Sequence, residues 1–453
     1  MRPVTDDATG EVTDLLRQLI RNACVNDGSA GSGQELRSAD LLAAYLDGAG
    51  PDLRRYESAP GRGNLVARIE GTDPQAPSLL LMGHLDVVPV NADRWRRDPF
   101  GGELVDGYVW GRGAIDMLNQ TTAMAVAVKR LARRGFRPRG TLTYLAVADE
   151  ETLGAYGADW MLTHEPDAVR ADYVLTENGG YALPLPSTDG GRKLTVTVGE
   201  KGAFWARIRV SGTSGHASMP LRTDNALVNA ARVVQRLADH RPQTRVDGVW
   251  RDFVAHADLP PPVRDVLLDP AALDAFVRSE STDLGVARMV HACTHTTIAP
   301  TIGHGGTKTN VIPDLVDLQV DVRTLPGQGE EEVRALLAEA VGADLAPHVE
   351  IVADSWNEAS ASPVGTPLWD TLARVSGALV PGASTVPFLM VGATDARFFR
   401  RAGSTAYGYG LFSDRISFAE FGAMFHGDNE RIDQDSLRLS ETLWEAVATD
   451  FLA

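Results

Sequence analysis

A histidine and an aspartate follow a strongly apolar stretch of the chain in residues 79–90. The segment LLLM, residues 79–82, predicts a buried strand, and His84 and Asp86 come directly after it. Open α/β sheets bind their ligands at the ends of such strands. His84 can offer one ring nitrogen to a metal while Asp86 accepts the other ring N–H and fixes the tautomer. The alternative is a core histidine next to an aspartate in a turn, so the rest of the chain must decide.

Acidic residues follow two further predicted strands. Glu150 and Glu151 come after the strand predicted at residues 141–148, and Glu177 comes after the strand predicted at residues 172–176. Carboxylates crowded at the end of a buried strand raise one another's pKa unless a cation neutralises them. The same edge of the sheet is therefore expected to gather both imidazole and carboxylate ligands.

Asp116 and His426 complete a set of six side chains. Asp116 precedes a helix predicted at about residues 119–134, where its position alone indicates a helix cap. Two imidazoles and several carboxylates are ligands for a pair of divalent cations, zinc before the others. Such a pair lowers the pKa of a shared water and stabilises a tetrahedral intermediate, and a carboxylate outside the pair must accept the proton. The set is His84, Asp116, Glu150, Glu151, Glu177 and His426.

Composition restricts the class of protein. The 453 residues are enough for two domains, and 44% hydrophobic and 23% charged residues are typical of a soluble globular protein. A net charge of −17 argues against a nucleic-acid or anionic-membrane partner. No apolar run is long enough to cross a bilayer, and the polar residues 1–12 lack the apolar region of a signal peptide. Cys24 and Cys293 form no CxxC motif, which favours a cytoplasmic location.

The predicted elements indicate an α/β protein with an inserted domain. Residues 1–192 and 358–453 are expected to form a catalytic domain with a mixed sheet between helical layers, and residues 193–357 an inserted α+β domain. The insert has a β-α-β-β-α-β order, which predicts a ferredoxin-like fold, and it carries an extra helical segment at residues 241–296. Its predicted elements are strands at 193–198 and 204–210, a helix at 225–239, strands at 297–303 and 315–324, a helix at 330–341 and a strand at 348–353.

Eight motifs occur in an order that resembles one known family. The sequence is similar to the di-zinc aminoacylase/carboxypeptidase family, which includes carboxypeptidase G, acetylornithine deacetylase, succinyl-diaminopimelate desuccinylase and the Gly-X carboxypeptidases. Each motif is weak alone, but the ordered set covers nearly the whole chain. One departure is Leu118-Asn119, where many members continue the aspartate-methionine pair with Lys-Gly-Gly. The motifs are GHLDVVP, GRGAIDM, DEETLGAYGA, TENGG, SGTSGHASMP, TNVIPD with DVRTLPG, GATDAR and HGDNERI.

The resemblance implies a role for each matching residue. It implies that the insert is a lid and dimerisation domain of a homodimeric enzyme, and that Asp116 and Met117 are joined by a non-proline cis peptide bond. Two divalent cations are implied per subunit, most commonly zinc, with cobalt or manganese as substitutes. The implied roles are His84 and Glu177 on one cation, Glu151 and His426 on the other, Asp116 bridging both, Glu150 as general base, Asp86 as partner of His84, His216 as an oxyanion donor to the neighbouring subunit, and Asn310 and Arg323 as contacts for a substrate carboxylate.

Arg397 and the substrate leave alternatives open. Arg397, in GATDAR, either holds a substrate carboxylate or forms a salt bridge with Asp395 or another acid. The implied reaction is cleavage of the amide or peptide bond of an N-acyl amino acid or a small peptide with a free carboxylate. Hydrolysis of a carbamoyl or ureido C–N bond is the alternative within the family. A non-catalytic descendant would have little reason to keep Glu150 with the full ligand set, and neither GRGNL nor GRGAID forms the GxGxxG pattern of a dinucleotide site.

Overall fold

A computed structural model describes residues 8–246 and 248–453. Residues 1–7, which are part of the polar segment that predicts the lack of a signal peptide, lie outside the described residues. Within the described ranges, no helix combines the length and the apolar character that a membrane crossing requires.

The strands lie along the whole chain. They are β1 (Asp52–Ala59), β2 (Arg62–Ile69), β3 (Leu79–His84), β4 (Glu103–Val105), β5 (Tyr108–Trp110), β6 (Leu142–Val147), β7 (Tyr173–Thr176), β8 (Ala182–Leu183), β9 (Arg192–Glu200), β10 (Gly202–Ser211), β11 (Gly215–His216), β12 (Thr297–Gly305), β13 (Val311–Ile312), β14 (Leu315–Thr324), β15 (Val349–Asn357), β16 (Ser360–Ala361), β17 (Ala383–Met390), β18 (Thr405–Gly408) and β19 (Arg431–Asp433).

The helices separate most of these strands. They are α1 (Ala8–Asn22), α2 (Leu36–Leu46), α3 (Leu118–Arg133), α4 (Ala158–His164), α5 (Pro166–Val169), α6 (Ala226–Asp239), α7 (Gly248–His256), α8 (Pro261–Leu268), α9 (Pro270–Arg278), α10 (Leu284–Thr294), α11 (Glu330–Val341), α12 (Pro367–Leu379), α13 (Ala396–Arg401), α14 (Phe418–Met424) and α15 (Gln434–Phe451).

A ten-stranded mixed sheet is the centre of the larger part of the protein. Its order is β1-β2-β6-β3-β7-β18-β9-β16, with β8 and β17 also paired to β9. Alternate residues of β3 enter different cores: Leu79 and Leu81 pack with α1, α3 and α15, whereas Leu80 and Met82 pack with α4 and α13. Helices thus cover both faces, which explains why β3 reads as a continuous apolar run. The predicted mixed-sheet α/β class is confirmed.

A four-stranded antiparallel sheet forms the second core. Its order, β12-β14-β10-β15, is that of a ferredoxin-like domain, and α6 and α11 pack against one face of it. The β-α-β-β-α-β order predicted from residue 204 onward matches these elements. The domain limits at residues 192/193 and 357/358, and the role of this sheet as a lid, stay predictions.

The strand predicted at residues 193–198 was assigned to the wrong sheet. It is part of β9, which pairs in parallel with β17 and lies inside the large sheet. The alternation of Leu194, Val196 and Val198 with threonines is typical of a strand with one wet face, but both faces of β9 are buried. The extra segment 241–296 also packs towards the large sheet, because Trp250 and Phe253 of α7 lie in its core.

Candidate metal centre

Three parallel strands bring the predicted ligands to one edge of the large sheet. Strand β3 lies between β6 and β7 and is parallel to both. The carboxyl ends of the three strands therefore meet. His84 is the last residue of β3, Glu150 and Glu151 begin the turn after β6, and Glu177 follows β7 directly.

A second, smaller sheet brings in the remaining two ligands. Strand β19 pairs antiparallel with β5, so that Arg431 lies opposite Trp110. The loop before β19 carries His426, and the loop after β5 carries Asp116. The antiparallel pairing therefore places these two loops side by side, although more than 300 residues separate them in the chain.

His84, Asp116 and Glu177 form the first cluster. The Nε2 atom of His84 lies 3.2 Å from Asp116 Oδ1 and 3.7 Å from Glu177 Oε2. Its Nδ1 atom lies 2.9 Å from the backbone carbonyl of Asp86, which can only accept a hydrogen bond. In the neutral ring the proton is therefore on Nδ1, and the lone pair of Nε2 faces the two carboxylates.

Asp116, Glu151 and His426 form the second cluster. The Nε2 atom of His426 lies 3.0 Å from Asp116 Oδ2 and 3.2 Å from Glu151 Oε2. Asp116 thus presents one oxygen to each cluster. In each cluster three ligand atoms lie within 4.8 Å of one another, and Glu151 Oε1 is buried with no hydrogen-bond partner among the described residues. A carboxylate and imidazole donor set with an orphaned oxygen fits a pair of divalent cations.

The carboxylate of Asp86 has a second task besides the predicted one at His84. Its Oδ1 atom lies 3.6 Å from His84 Nδ1, and the backbone carbonyl of Asp86 is the nearer acceptor for this nitrogen, at 2.9 Å. The carboxylate accepts the backbone N–H groups of Glu150 and Glu151, each at 3.1 Å. Asp86 therefore orients His84 and the turn after β6 at the same time.

The side chains of the two clusters have pKa values far from their ordinary values. Burial, and then the charge of Asp116, raise the pKa of Glu151 to about 7 and the pKa of Glu177 to about 8. Hydrogen bonds to Asp116 and Glu151 raise the pKa of His426 to about 10. Burial would raise the pKa of Asp116, but hydrogen bonds from His426 and His84 lower it below its usual range. Raised pKa values of two carboxylates around Asp116 are the effect expected when like charges are crowded in a buried cluster.

Glu150 lies beside the clusters and belongs to neither. Among the described residues its carboxylate is not part of either ligand group. Burial, and then the negative charge of Glu177, raise its pKa well above the ordinary value. A carboxylate with a raised pKa is a stronger base than an ordinary carboxylate, which suits it to accept a proton from water and return it to a leaving group.

The site residues predicted in the insert lie apart from the clusters. His216 is exposed on β11, where its Nδ1 accepts hydrogen bonds from the Ser218 backbone and hydroxyl. Asn310 lies next to it, because the N–H of Ala217 donates to the Asn310 carbonyl. Arg323 is near the other end of β14 and pairs with Asp321 at 2.9 Å. Within the described residues, no hydrogen bond or ion pair joins these three side chains to the metal-ligand clusters.

Arg397 has backbone partners in place of the acid that one of its two predicted alternatives required. It is buried, and its guanidinium donates to the backbone carbonyls of Thr394 at 2.7 Å and Leu153 at 2.9 Å. It forms no ion pair with Asp395 in the described part of the chain, so the predicted salt bridge is wrong. Leu153 ends the turn that carries Glu150 and Glu151, which means that Arg397 supports this turn. Its contact with a substrate carboxylate stays a prediction.

The sequence reasoning missed Glu430. This buried side chain accepts the backbone N–H groups of Ile115 at 2.7 Å and Asp116 at 3.1 Å, and it pairs with Arg112 at 2.8 Å. It therefore holds the loop that presents Asp116, whose peptide bond to Met117 is cis as predicted. The signal was available, because Glu430 lies four residues after His426 in the motif HGDNERI.

Comparisons with known proteins agree with the site. Residues 80–450 match the model of peptidase family M20/M25/M40. The chain is 29% identical over 396 residues to the N-fatty-acyl-amino acid synthase/hydrolase PM20D1 of Xenopus tropicalis, covering 85% of this chain and 75% of that protein. It is 27% identical over 451 residues to a succinyl-diaminopimelate desuccinylase of Cereibacter sphaeroides, covering 97% of this chain and 98% of that protein.

The fold is shared with a solved structure of the same family. The M20 family metallo-carboxypeptidase Sso-CP2 of Sulfolobus solfataricus superposes with a TM-score of 0.71 at 18% identity, over 97% of this chain and 99% of that chain. The family match spans most of the sequence and includes the strands and loops that carry both clusters. The chain therefore belongs to peptidase family M20/M25/M40, and it is a metal-dependent hydrolase.

Proposed function

We propose that this protein uses two divalent cations to hydrolyse the amide or peptide bond of an N-acyl amino acid or small peptide that has a free carboxylate. The observation that carries the proposal is the shared position of Asp116, with one oxygen 3.2 Å from His84 and the other 3.0 Å from His426. Zinc is the proposed cation, because a mixed imidazole and carboxylate set suits it. His84 and Glu177 would hold one cation, Glu151 and His426 would hold the other, and Asp116 would serve both.

The residues around the cations divide the work of the reaction. When bound, the cations polarise the scissile carbonyl and lower the pKa of the attacking water. Glu150 accepts the proton from that water and delivers it to the departing amine. Asp86 and Glu430 fix the turn of Glu150 and the loop of Asp116 through backbone hydrogen bonds. These hydrogen bonds hold the Glu150 turn and the Asp116 loop in place before a substrate binds.

The names of two related proteins support an acylated amino acid as the substrate. Two relatives are named for acylated amino acids, one with a fatty acyl group and one with a succinyl group. Arginine suits a substrate carboxylate because its guanidinium can donate two parallel hydrogen bonds, and Arg323 is half-buried at the end of β14. We propose Arg323 and Asn310 as carboxylate contacts, with Arg397 as a third position near the Glu150 turn.

A hydrolysis panel tests this function. The zinc-loaded protein would be offered N-acyl amino acids of increasing acyl length, dipeptides and carbamoyl amino acids, with the Glu150→Gln variant as the blank. Release of a free amino acid from one substrate group, absent in the blank, is expected. Hydrolysis confined to carbamoyl substrates would replace the amide assignment by the ureido one. No hydrolysis across the panel by protein that carries two cations would contradict the proposal.

Zinc affinity is expected to fall as the pH is lowered from 8 to 6. Metal ligands must be deprotonated, whereas the raised pKa values of Glu151, about 7, and Glu177, about 8, keep protons on these groups in the metal-free protein. Each proton that zinc must displace lowers the affinity roughly tenfold per pH unit below the pKa. Calorimetric titration at pH 8, 7 and 6, in buffers with different ionisation enthalpies, measures both the affinity and the protons released. A flat profile without proton release would contradict the ligand assignment.

We also propose that the second copy of this chain docks on the four-stranded sheet. Strand β12 is at the edge of this sheet, and Ile302 on it is 45% exposed. Leu227 and Val228 on the neighbouring helix α6 are 54% and 56% exposed. An unpaired edge beside exposed apolar side chains supports pairing with another copy. In such a homodimer the exposed His216 would serve the neighbour's metal centre.

The cytoplasmic location also stays a prediction.

His216→Ala is expected to lower kcat/KM by about 10²–10³-fold without loss of zinc. This is the usual effect of removing one hydrogen-bond donor to the oxyanion of the reaction. Mixing it in equal amounts with inactive Glu150→Gln chains should restore about a quarter of the wild-type activity, because half of the random dimers are mixed and each has one complete site. His164 is an exposed histidine on α4, and His164→Ala is the matched control, which should leave activity unchanged. If mixing restores nothing, His216 does not act across a dimer.

A further inference from the structure

Asn26 is brought to the metal centre by a contact between distant parts of the chain. Val25 forms an isolated parallel bridge with Val87, just after β3. The N–H of Asn26 donates to the carbonyl of Val87 at 2.9 Å, and the N–H of Val87 donates to the carbonyl of Cys24 at 3.0 Å. These bonds place the buried side chain of Asn26 directly beside Asp86.

The amide of Asn26 joins two carboxylates that no other side chain connects in the described structure. Its Nδ2 donates to Asp86 Oδ2 at 2.8 Å, and it lies 3.1 Å from Asp149 Oδ1 and 2.9 Å from Thr152 Oγ1. Its Oδ1 accepts from the Gly28 backbone and the Ser32 hydroxyl, each at 3.2 Å. Donors on one side and acceptors on the other fix the orientation of this amide.

Asp149 is in turn held by a buried arginine. Arg62 Nη2 lies 2.7 Å from Asp149 Oδ1, and the same guanidinium donates two hydrogen bonds of 2.8 Å to Glu35, which is fully buried. Asp149 adopts the left-handed conformation, with φ of 73°, at the start of the turn that carries Glu150 and Glu151. A non-glycine residue keeps this conformation only when its surroundings hold it there.

We infer that Asn26 and Arg62 are positioning residues for the turn Asp149–Thr152, and that they control the cation held by Glu151 and His426 more than the cation held by His84 and Glu177. This inference rests on the proposed two-cation site and adds residues to it from outside every motif that identifies the family. Among the described residues neither side chain contacts a ligand atom, so Asn26 acts through Asp86 and Asp149, and Arg62 acts through Asp149.

The two oxygens of the Asp86 carboxylate explain why Asn26 should affect the cation at Glu151 more than the cation at His84. Asn26 and the N–H of Glu151 share Oδ2, whereas His84 and the N–H of Glu150 face Oδ1. The ring of His84 is also held by the backbone carbonyl of Asp86, which Asn26 does not touch. Loss of the Asn26 amide therefore loosens the Glu151 side of the turn and leaves the His84 side supported.

Zinc titration of the metal-free protein tests this inference. Calorimetry with Zn²⁺ is expected to show two binding phases in the wild type, and Glu151→Gln and Glu177→Gln variants assign them to the two cations. Asn26→Ala should weaken the Glu151 phase by about 10–100-fold, the range for residues that orient a metal ligand. The Glu177 phase should change by less than about threefold. Absorption spectra of the Co²⁺-loaded variant should show the geometry of only one site altered.

Asn22→Ala is the matched control. Asn22 ends α1 four residues earlier, and its amide donates to Ser38 Oγ at 3.1 Å, outside the carboxylate network. It should leave both phases unchanged. Arg62→Lys keeps the positive charge but loses the forked contact with Glu35 and Asp149. Arg62→Lys should likewise weaken zinc binding in the Glu151 phase and leave the Glu177 phase nearly unchanged. This variant tests the inference if Asn26→Ala does not fold.

Two results would overturn the inference, and a third would overturn the proposed function. Unchanged zinc affinity in both variants would show that the turn does not need them. Equal weakening of both phases, together with a lower unfolding temperature, would indicate a general structural role. Wild-type protein that binds fewer than two zinc ions would instead contradict the proposed function itself, so the two failures are distinguishable.

Discussion

Glu150→Gln is expected to lower kcat by about 10²–10⁴-fold while both cations stay bound, which is the usual contribution of a general base. Glutamine has the same shape as glutamate but cannot accept the proton of the attacking water at neutral pH. The side chain lies outside both ligand groups of the described residues, so the affinity for zinc should change little. Steady-state kinetics and metal analysis of the same preparation check both halves of this expectation.

The same substitution is expected to raise the stability of the metal-free protein. Burial and the charge of Glu177 raise the pKa of Glu150, which means that its ionised form is unfavourable in the folded state near neutral pH. A neutral amide removes this penalty, so the unfolding temperature should rise. Exposed Glu339→Gln on α11 is the matched control for both readouts. Kinetics within tenfold of the wild type would move the base to another residue.

Asp116→Ala is expected to remove both cations and with them all hydrolysis. Each cluster has three ligand residues, and Asp116 belongs to both. Its loss leaves each cation with one imidazole and one carboxylate. We expect the affinity for zinc to fall by more than about 100-fold at each site, beyond the range for residues that only orient a ligand. Metal content after dialysis against micromolar zinc, followed by a hydrolysis assay, measures the effect.

Two single-site variants make the comparison sharp. Glu177→Gln should lose the cation near His84, and Glu151→Gln should lose the cation near His426, so each should retain one. The expected zinc contents are therefore two for the wild type, one for each single-site variant and none for Asp116→Ala. If Asp116→Ala retains one tightly bound zinc, Asp116 is not shared in the way that the geometry indicates.

The ends of the parallel strands explain why much of the site was predictable. The apolar runs before His84, Glu150 and Glu177 are long enough to identify buried strands, and parallel neighbours must end at the same edge. The metal chemistry of the donor types then followed from the residues themselves. Asp116 was ambiguous, because an aspartate before a helix is usually a cap, and only the family motifs gave it a role.

Long-range contacts account for what the sequence did not predict. The placement of β9 in the large sheet depends on its pairing with β17, almost 200 residues later. Asn26 and Arg62 reach Asp149 only because of the bridge between Val25 and Val87 and the pairing of β2 with β6. No local pattern of apolar or charged residues records such contacts. The partners of Arg397 were likewise not predictable, since they are backbone carbonyls rather than side-chain acids.

The central claim is that two cations, bridged by Asp116, are both needed for hydrolysis. The most direct test adds zinc in steps to the metal-free protein and measures bound zinc by native mass spectrometry and hydrolysis of an N-acyl amino acid in the same samples. We predict that binding saturates at two zinc ions per chain and that full activity appears only with the second. Saturation at one ion, or full activity without added zinc, would contradict the account.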